Sequence, residues 1–174
     1  RALADLEGQG HELVEDDRPH FALADEAIAT YGSLAAHEAN GAHFELLRDH
    51  GELLDPRVYM RIAAVAERPS SDYIRLLLER NRLRAEFWAS LDDYDLIAAP
   101  TVMVLPPRLS DLTSDEGYLE ANRQVLRNTS YFNFLGGTAI SVNPEPRPVG
   151  VMLAAADGNE ALVTAAGRSL LSAG

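Results

Sequence analysis

The chain has 174 residues, 47% of them apolar and 24% charged, which is enough for a hydrophobic core and ordinary for a globular domain. Its net charge of -12 argues against nucleic acid and against anionic membrane surfaces as partners, because both recruit basic faces. There is no cysteine, which excludes disulfides, thiolate catalysis and cysteine-ligated zinc within this chain and fits a reducing cytoplasm. All fifteen basic residues are arginine. Any mechanism that needs a lysine therefore cannot be completed by these residues alone. No apolar run approaches the 18 residues of a membrane span. Asn128-Thr129-Ser130 matches a glycosylation sequon but stands without a secretory signature, and we read it as coincidence.

Taken in order, residues 1–9 read as the last turns of a helix, with Leu3 and Leu6 inward and Gly8 or Gly10 as the stop. A start in mid-helix suggests an excised or processed piece of something longer. His11 to Glu15 is a short strand candidate. Residues 22–39 read as one alanine-rich helix, with Ala24, Ala27, Ile28, Tyr31, Leu34 and Ala35 on a single face. A short helix holding Phe44, Leu46 and Leu47 ends at Gly51. Asp55-Pro56 is a strong start signal, since aspartate caps and proline suits the first helical position. That helix is expected to run through Val65 to Arg68-Pro69.

The longest helix is expected over residues 71–91, with a stripe of Tyr73, Leu76, Leu77, Arg80, Leu83, Phe87 and Leu91. Arg80 stands in the middle of an apolar stripe, where an unpaired cation is very costly. Either it forms a structural salt bridge, or it faces a cleft and holds a carboxylate or carbonyl oxygen with its bidentate fork. Residues 94–99 read as a compact strand. A proline-containing loop leads to Ser114, which opens a helix with Tyr118, Val125, Leu126, Thr129 and Phe132 inward.

The segment from Asn128 to Ala156 organises the rest. Gly136-Gly137 stops the helix, because glycine accepts the left-handed cap. Thr138 to Val142 is β-branched and apolar and reads as a buried strand. Pro144-Glu-Pro-Arg-Pro148 is a connection, because its prolines cannot donate to a ladder. Val149 to Ala156 is a second strand, an antiparallel neighbour of the first. A last helix covers Glu160 to Leu171.

Several chemistries are weakly supported. His37 and His43 are six residues apart and fall on different helical faces, and His43 and His50 lie two turns apart, so no metal site is expected. Neither Ser130 nor Ser141 sits in a Gly-x-Ser-x-Gly elbow. No cofactor is expected.

Arg80, then Tyr94-Asp95-Leu-Ile-Ala-Ala-Pro100-Thr101, then Asn128-Thr129-x3-Asn133-Phe-x-Gly136-x-x-Ala139-Ile-Ser-Val142, then Pro148-Val-Gly-Val form an ordered set. It resembles the C-terminal half of amidase signature enzymes. Those commonly show Asp-x-Leu-x-x-Pro-Thr, then Asn-x-x-Gly-x-Pro-Ala-x-Ser-x-Pro, then Pro-x-Gly-x-Gln. The resemblance covers nearly the whole chain. It departs at Thr138 and Asn143, where the family usually has proline, and at Met152, where it usually has glutamine. Leu126 replaces an aspartate typical of amidotransferase A subunits, three residues before the motif threonine.

The resemblance implies an α/β fold, a mixed β-sheet packed with helices, of which residues 1–174 form a single C-terminal half. It implies hydrolysis of a carboxylic acid amide through a Ser-Ser-Lys triad that lies outside this chain, in a missing N-terminal half that would be its partner. The chain alone would then be inactive. Arg80 matches an arginine that holds a substrate carboxylate in some members, and Thr101, Asn128, Thr129 and Asn133 are substrate-binding candidates, each of which could instead cap backbone. An incomplete sheet leaves an open edge, so a homodimer or aggregate is expected of the isolated piece. A non-catalytic binding or scaffold module of the same fold, or a fragment of an amidotransferase A subunit, are the competing readings.

Overall fold

The computed structural model describes residues 2–143 and 150–172. The chain divides into two compact units, one made of Arg1–Asp17 with Phe87–Gly174 and one of Arg18–Glu86. The proline-rich connection at 144–148 falls outside the described residues.

The first unit is built on a three-stranded sheet in the order β1-β3-β2, with β1 Ile97–Pro100, β2 Gly137–Val142 and β3 Val151–Ala156. Both pairings are antiparallel: Ile97 lies opposite Ala154 and Pro100 opposite Val151, while Gly137 lies opposite Ala156 and Val142 opposite Val151. The β2–β3 neighbourhood expected from the sequence is present. The parallel pairing that a mixed sheet requires is not among the described residues. Met152, Leu153, Ala154 and Ala155 of the central strand are all buried, because that strand is covered on both faces.

Three helices pack within this unit: α1 Ala2–Gly8, α7 Asp115–Leu135 and α8 Glu160–Ser172. Val163, Gly167 and Leu170 of α8 are buried. Gly167 lets the helix approach β2 closely, since a Cβ there would lie 3.1 Å from Val142 and 3.4 Å from Ile140. Leu6 of α1 joins Val142 and Leu170 in one buried cluster, with Leu13, Ile140 and Val151 against it. Leu3, expected inward, is 47% exposed. α7 is opened by Ser114, whose hydroxyl accepts from the Gly117 N–H at 3.1 Å, and Asp115 and Glu116 in its first turn complement the helix dipole. It closes at Gly136 with φ 64° and ψ 85°, the left-handed cap anticipated from the double glycine. On α7 Phe132 is buried as expected, whereas Leu126 is 40% exposed.

The second unit is helical: α2 Pro19–Tyr31, α3 Leu34–Ala42, α4 Phe44–His50, α5 Pro56–Ala63 and the greater part of α6 Ser70–Ala89, with a 3₁₀ turn at Gly51–Leu53. Asp55 caps α5 by accepting from the N–H groups of Arg57 and Val58 at 2.9 and 3.2 Å. α3 is held to α5 by Asn40 Nδ2 donating to the Ile62 carbonyl at 3.4 Å.

Five expectations about the extent of elements also need correction. The single helix over 22–39 is broken at Gly32, whose φ of 95° no helix accepts. The helix beginning at Pro56 ends at Ala63 and does not reach Arg68. The longest helix is α7, with 21 residues against 20 for α6. β1 starts at Ile97, so the strand expected from Tyr94 loses its first three residues. Residues 11–15 pair with no strand, and Val14 is 54% exposed. Among the described residues no helix is long and apolar enough to cross a membrane.

Candidate functional site

The end of the sheet beyond Pro100 brings together Thr101, Ser141 and Asn128. Thr101 continues β1 and donates its backbone N–H to the Gly150 carbonyl at 2.9 Å. Its Oγ1 lies 2.6 Å from Ser141 Oγ on β2. Asn128, on α7, donates from Nδ2 to the Pro100 carbonyl at 2.7 Å and so fixes the helix to the strand end on which Thr101 stands. These three converge. Thr129 is spent locally: its Oγ1 donates to the Leu126 carbonyl at 3.0 Å. Asn133, one turn further along α7, is exposed. Ser141 was not among the residues nominated from the sequence, where it was weighed only as a nucleophile. Its position in the Ala-x-Ser motif, two residues after Ala139, was the available signal.

Arg80 belongs to the second unit. It is half-buried in the middle of α6, between Leu76 and Leu83, both fully buried. Its Nε is buried without a hydrogen-bond partner among the described residues. The nearest acid in sequence, Glu79, is engaged instead by Arg82, which also binds Glu86. The structural salt bridge considered for Arg80 is therefore not supplied by its own helix. Its guanidinium keeps donor capacity for a carboxylate or carbonyl oxygen.

The same unit as the sheet also contains a cleft of about 280 Å³, bounded by Trp88, Asp92, Tyr94, Asp95, Ile97 and Leu162 among others. It opens at the start of β1 and the end of β3. At roughly 3.4 Å of rise per residue, that is about 13 Å along the strand from Thr101. None of the five residues nominated from the sequence lines it. Among the described residues no group of three His, Asp or Glu side chains is placed to hold a metal ion.

A family profile described as Amidase matches residues 1–164. The chain belongs to the amidase family. It is 31% identical over 156 residues to the 2-amino-5-chloromuconic acid deaminase of Comamonas testosteroni, covering 87% of this chain and 34% of that protein. Among solved structures, the allophanate hydrolase of Kluyveromyces lactis superposes with a TM-score of 0.80 at 21% identity, over 99% of this chain and 28% of its own. A crystal structure of an amidase gives 0.74 at 23% identity, over 98% and 39%. The substrate complex of 6-aminohexanoate cyclic dimer hydrolase gives 0.69 at 20% identity, over 99% and 39%. This amidase-family chain thus spans about a third of the length of the proteins it matches. Its α/β architecture, helix-rich with a small antiparallel sheet, is that of the corresponding part of amidase structures.

The amidase resemblance of the motifs now has a physical content. The proline–threonine that ends the Asp95 motif places Thr101. The asparagine opening the next motif ties α7 to that strand. Gly136 supplies the left-handed cap between α7 and β2. Gly150 is required for space: a Cβ would stand 2.7 Å from Ser141 Oγ and 3.1 Å from the Val142 carbonyl.

Proposed function

We propose that the protein carrying this chain is an amidase that hydrolyses a small carboxylic acid amide to the acid and ammonia or an amine. The carrying observation is the family match over residues 1–164 in a chain that has no lysine. A Ser-Ser-Lys mechanism needs a neutral lysine to relay the proton from the attacking serine, and backbone amides to hold the oxyanion. The triad then lies in the missing N-terminal half, and residues 1–174 are the C-terminal half of one catalytic domain. This half contributes sheet and one wall of the substrate cleft and is inactive alone.

Arg80 is the residue of this chain that takes the substrate's carboxylate or carbonyl oxygen. Its Nε, buried and without a hydrogen-bond partner among the described residues, supports that role, and the fork suits a carboxylate. Thr101 and Asn128, joined through the Pro100 carbonyl at the end of the sheet, are further candidates, with Thr129 and Asn133 on the same helix as Asn128. The similarity to a deaminase named for a muconic acid favours a substrate that carries a carboxylate, and extends the reading to release of ammonia from an amino-substituted acid. The acidic, cysteine-free composition fits a cytoplasmic enzyme with no nucleic-acid or membrane partner.

The test is an assay of aryl and aliphatic amides, with and without a second carboxylate, on the longest natural polypeptide that contains this chain, beside residues 1–174 alone. Ammonia release by the first and none by the second is the expected result. Turnover by residues 1–174 would overturn the half-enzyme reading and redirect the search to His11, His20, His37, His43 and His50. No ammonia from any amide or amino acid by the longer protein would leave the scaffold reading.

A further inference from the structure

Thr101 and Ser141 stand on strands that do not pair with each other, because β3 lies between them. Adjacent strands are about 4.8 Å apart, so the two backbones are separated by roughly 10 Å. The hydroxyls nevertheless meet at 2.6 Å. They do so by leaning over Gly150, where a Cβ would lie 2.7 Å from Ser141 Oγ and 3.1 Å from Thr101 Oγ1.

Such a pair is bifunctional. One O–H is consumed in the mutual bond, the other has no further acceptor among the described residues, and lone pairs remain on both oxygens. Ser141 is exposed and Thr101 half-buried, so this capacity is open to a ligand. Asn128 holds the strand end rigid beside it through the Pro100 carbonyl. An amide presents the complementary set on adjacent atoms, a carbonyl acceptor and an N–H donor. An ester of the same acid presents the acceptor alone.

Resting on the amidase reading, we propose that Ser141 is a further substrate-positioning residue, paired with Thr101 over Gly150, that receives the amide group itself. The free O–H donates to the substrate carbonyl, and a hydroxyl lone pair accepts the amide N–H. The pair thus discriminates amides from esters, which Arg80 cannot do because it has only donors.

The experiment compares benzamide with methyl benzoate on the longest natural polypeptide containing this chain. Ser141→Ala is expected to raise KM for benzamide about three- to tenfold, the cost of one neutral hydrogen bond, and to leave KM for methyl benzoate within about twofold. Ser141→Thr restores the hydroxyl and the amide KM. Equal effects on both substrates, or a fall in Tm with neither KM changed, would overturn the inference and leave the hydroxyl pair as a suture across the sheet, with the amidase reading intact. If benzamide is not turned over, calorimetric binding decides. Benzamide bound by the parent protein and not by Ser141→Ala sustains the recognition site while the hydrolytic reading falls. Equal binding, or none, overturns it.

Discussion

The indole of Trp88 closes over Gly137. Its Nε1 donates to the carbonyls of Leu135 at 3.0 Å and Gly136 at 2.9 Å, the last acceptors of α7, while its ring occupies the space where a side chain at 137 would go. A Cβ at Gly137 would stand 2.4 Å from that ring and 2.8 Å from the Ala155 carbonyl. The end of α6 thereby caps α7 and sets where β2 begins. Gly137→Ala is expected to destabilise the chain by about 1–3 kcal/mol through overpacking. Trp88→Phe, which shrinks the indole to a phenyl ring and loses both hydrogen bonds, is expected to cost at least about 1–3 kcal/mol. Urea denaturation followed by circular dichroism checks both, and a midpoint unchanged in either variant would contradict this account of the junction.

Asp55 gives a simpler case. Its carboxylate satisfies two backbone donors at the start of α5, beside a proline at the first helical position. Asp55→Ala is expected to lower stability by about 1 kcal/mol, and Asp55→Asn to retain most of it. Denaturation midpoints of the two variants, measured together, separate the cap from the charge.

The signals that were legible are the local ones. Asp55-Pro56, Ser114 and Gly136 act on backbone groups within a few residues, so the sequence carries all the physics they need. The β2–β3 pairing was legible because a short connection between two apolar runs leaves antiparallel contact as the near solution. His11–Glu15 failed for the opposite reason. Its alternation suits a strand, but a strand exists only against a partner, and none pairs with it. Gly32 looked like one glycine in an alanine-rich helix, yet at φ 95° it sits where a Cβ would lie 3.0 Å from both His37 and Val65, so packing of three segments decided the break. Among the site candidates, Arg80 was visible as a charge in an apolar stripe. The Thr101–Ser141 contact was not, because it joins residues forty apart across a strand that lies between them.

Protonation acts on α6 through its exposed face. The Arg82 guanidinium beside Glu79 holds that carboxyl below the usual carboxylate range. A carboxyl with a depressed folded pKa adds stability that is present above its unfolded pKa and is lost as pH falls through the folded one. The difference in denaturation midpoint between the parent chain and Glu79→Gln is therefore expected to be small and present at pH 6–7, and to decline as pH falls below about 4.3, the unfolded value, disappearing only once the folded carboxyl is protonated. Both partners are solvent-accessible, so 1 M salt is expected to remove the difference at every pH. A difference that persists in acid or in salt would show that the glutamate acts by packing.

Strand β2 is an edge among the described residues, six residues long, with no charge or proline to blunt it and with Ala139 and Ser141 exposed. Such an edge is a template for another chain. Residues 1–174 alone are expected to dimerise or aggregate, and Ala139→Lys to reduce that tendency. Light scattering across a concentration series reads the outcome. Monodisperse monomer at high concentration would mean that this edge recruits nothing, and would count against an N-terminal half that completes the sheet there.

Arg80 offers the sharpest separation of roles. A structural ion pair would make its removal destabilising by several kcal/mol, because the buried partner would be left uncompensated. A cation that waits for a substrate behaves otherwise. Its Nε is already buried without a hydrogen-bond partner among the described residues, so folding bears its desolvation with nothing in return from them. Arg80→Leu fits the apolar stripe between Leu76 and Leu83 and is expected to leave the denaturation midpoint unchanged or to raise it. In the longer protein the same substitution is expected to weaken kcat/KM on a carboxylate-bearing amide by about 10- to 100-fold, the loss of a charged hydrogen bond of about 1.5–3 kcal/mol, and to affect a neutral amide far less. Arg80→Lys keeps the charge without the fork and is expected to fall between the two. Loss of stability together with equal loss on both amides would return Arg80 to the structural role.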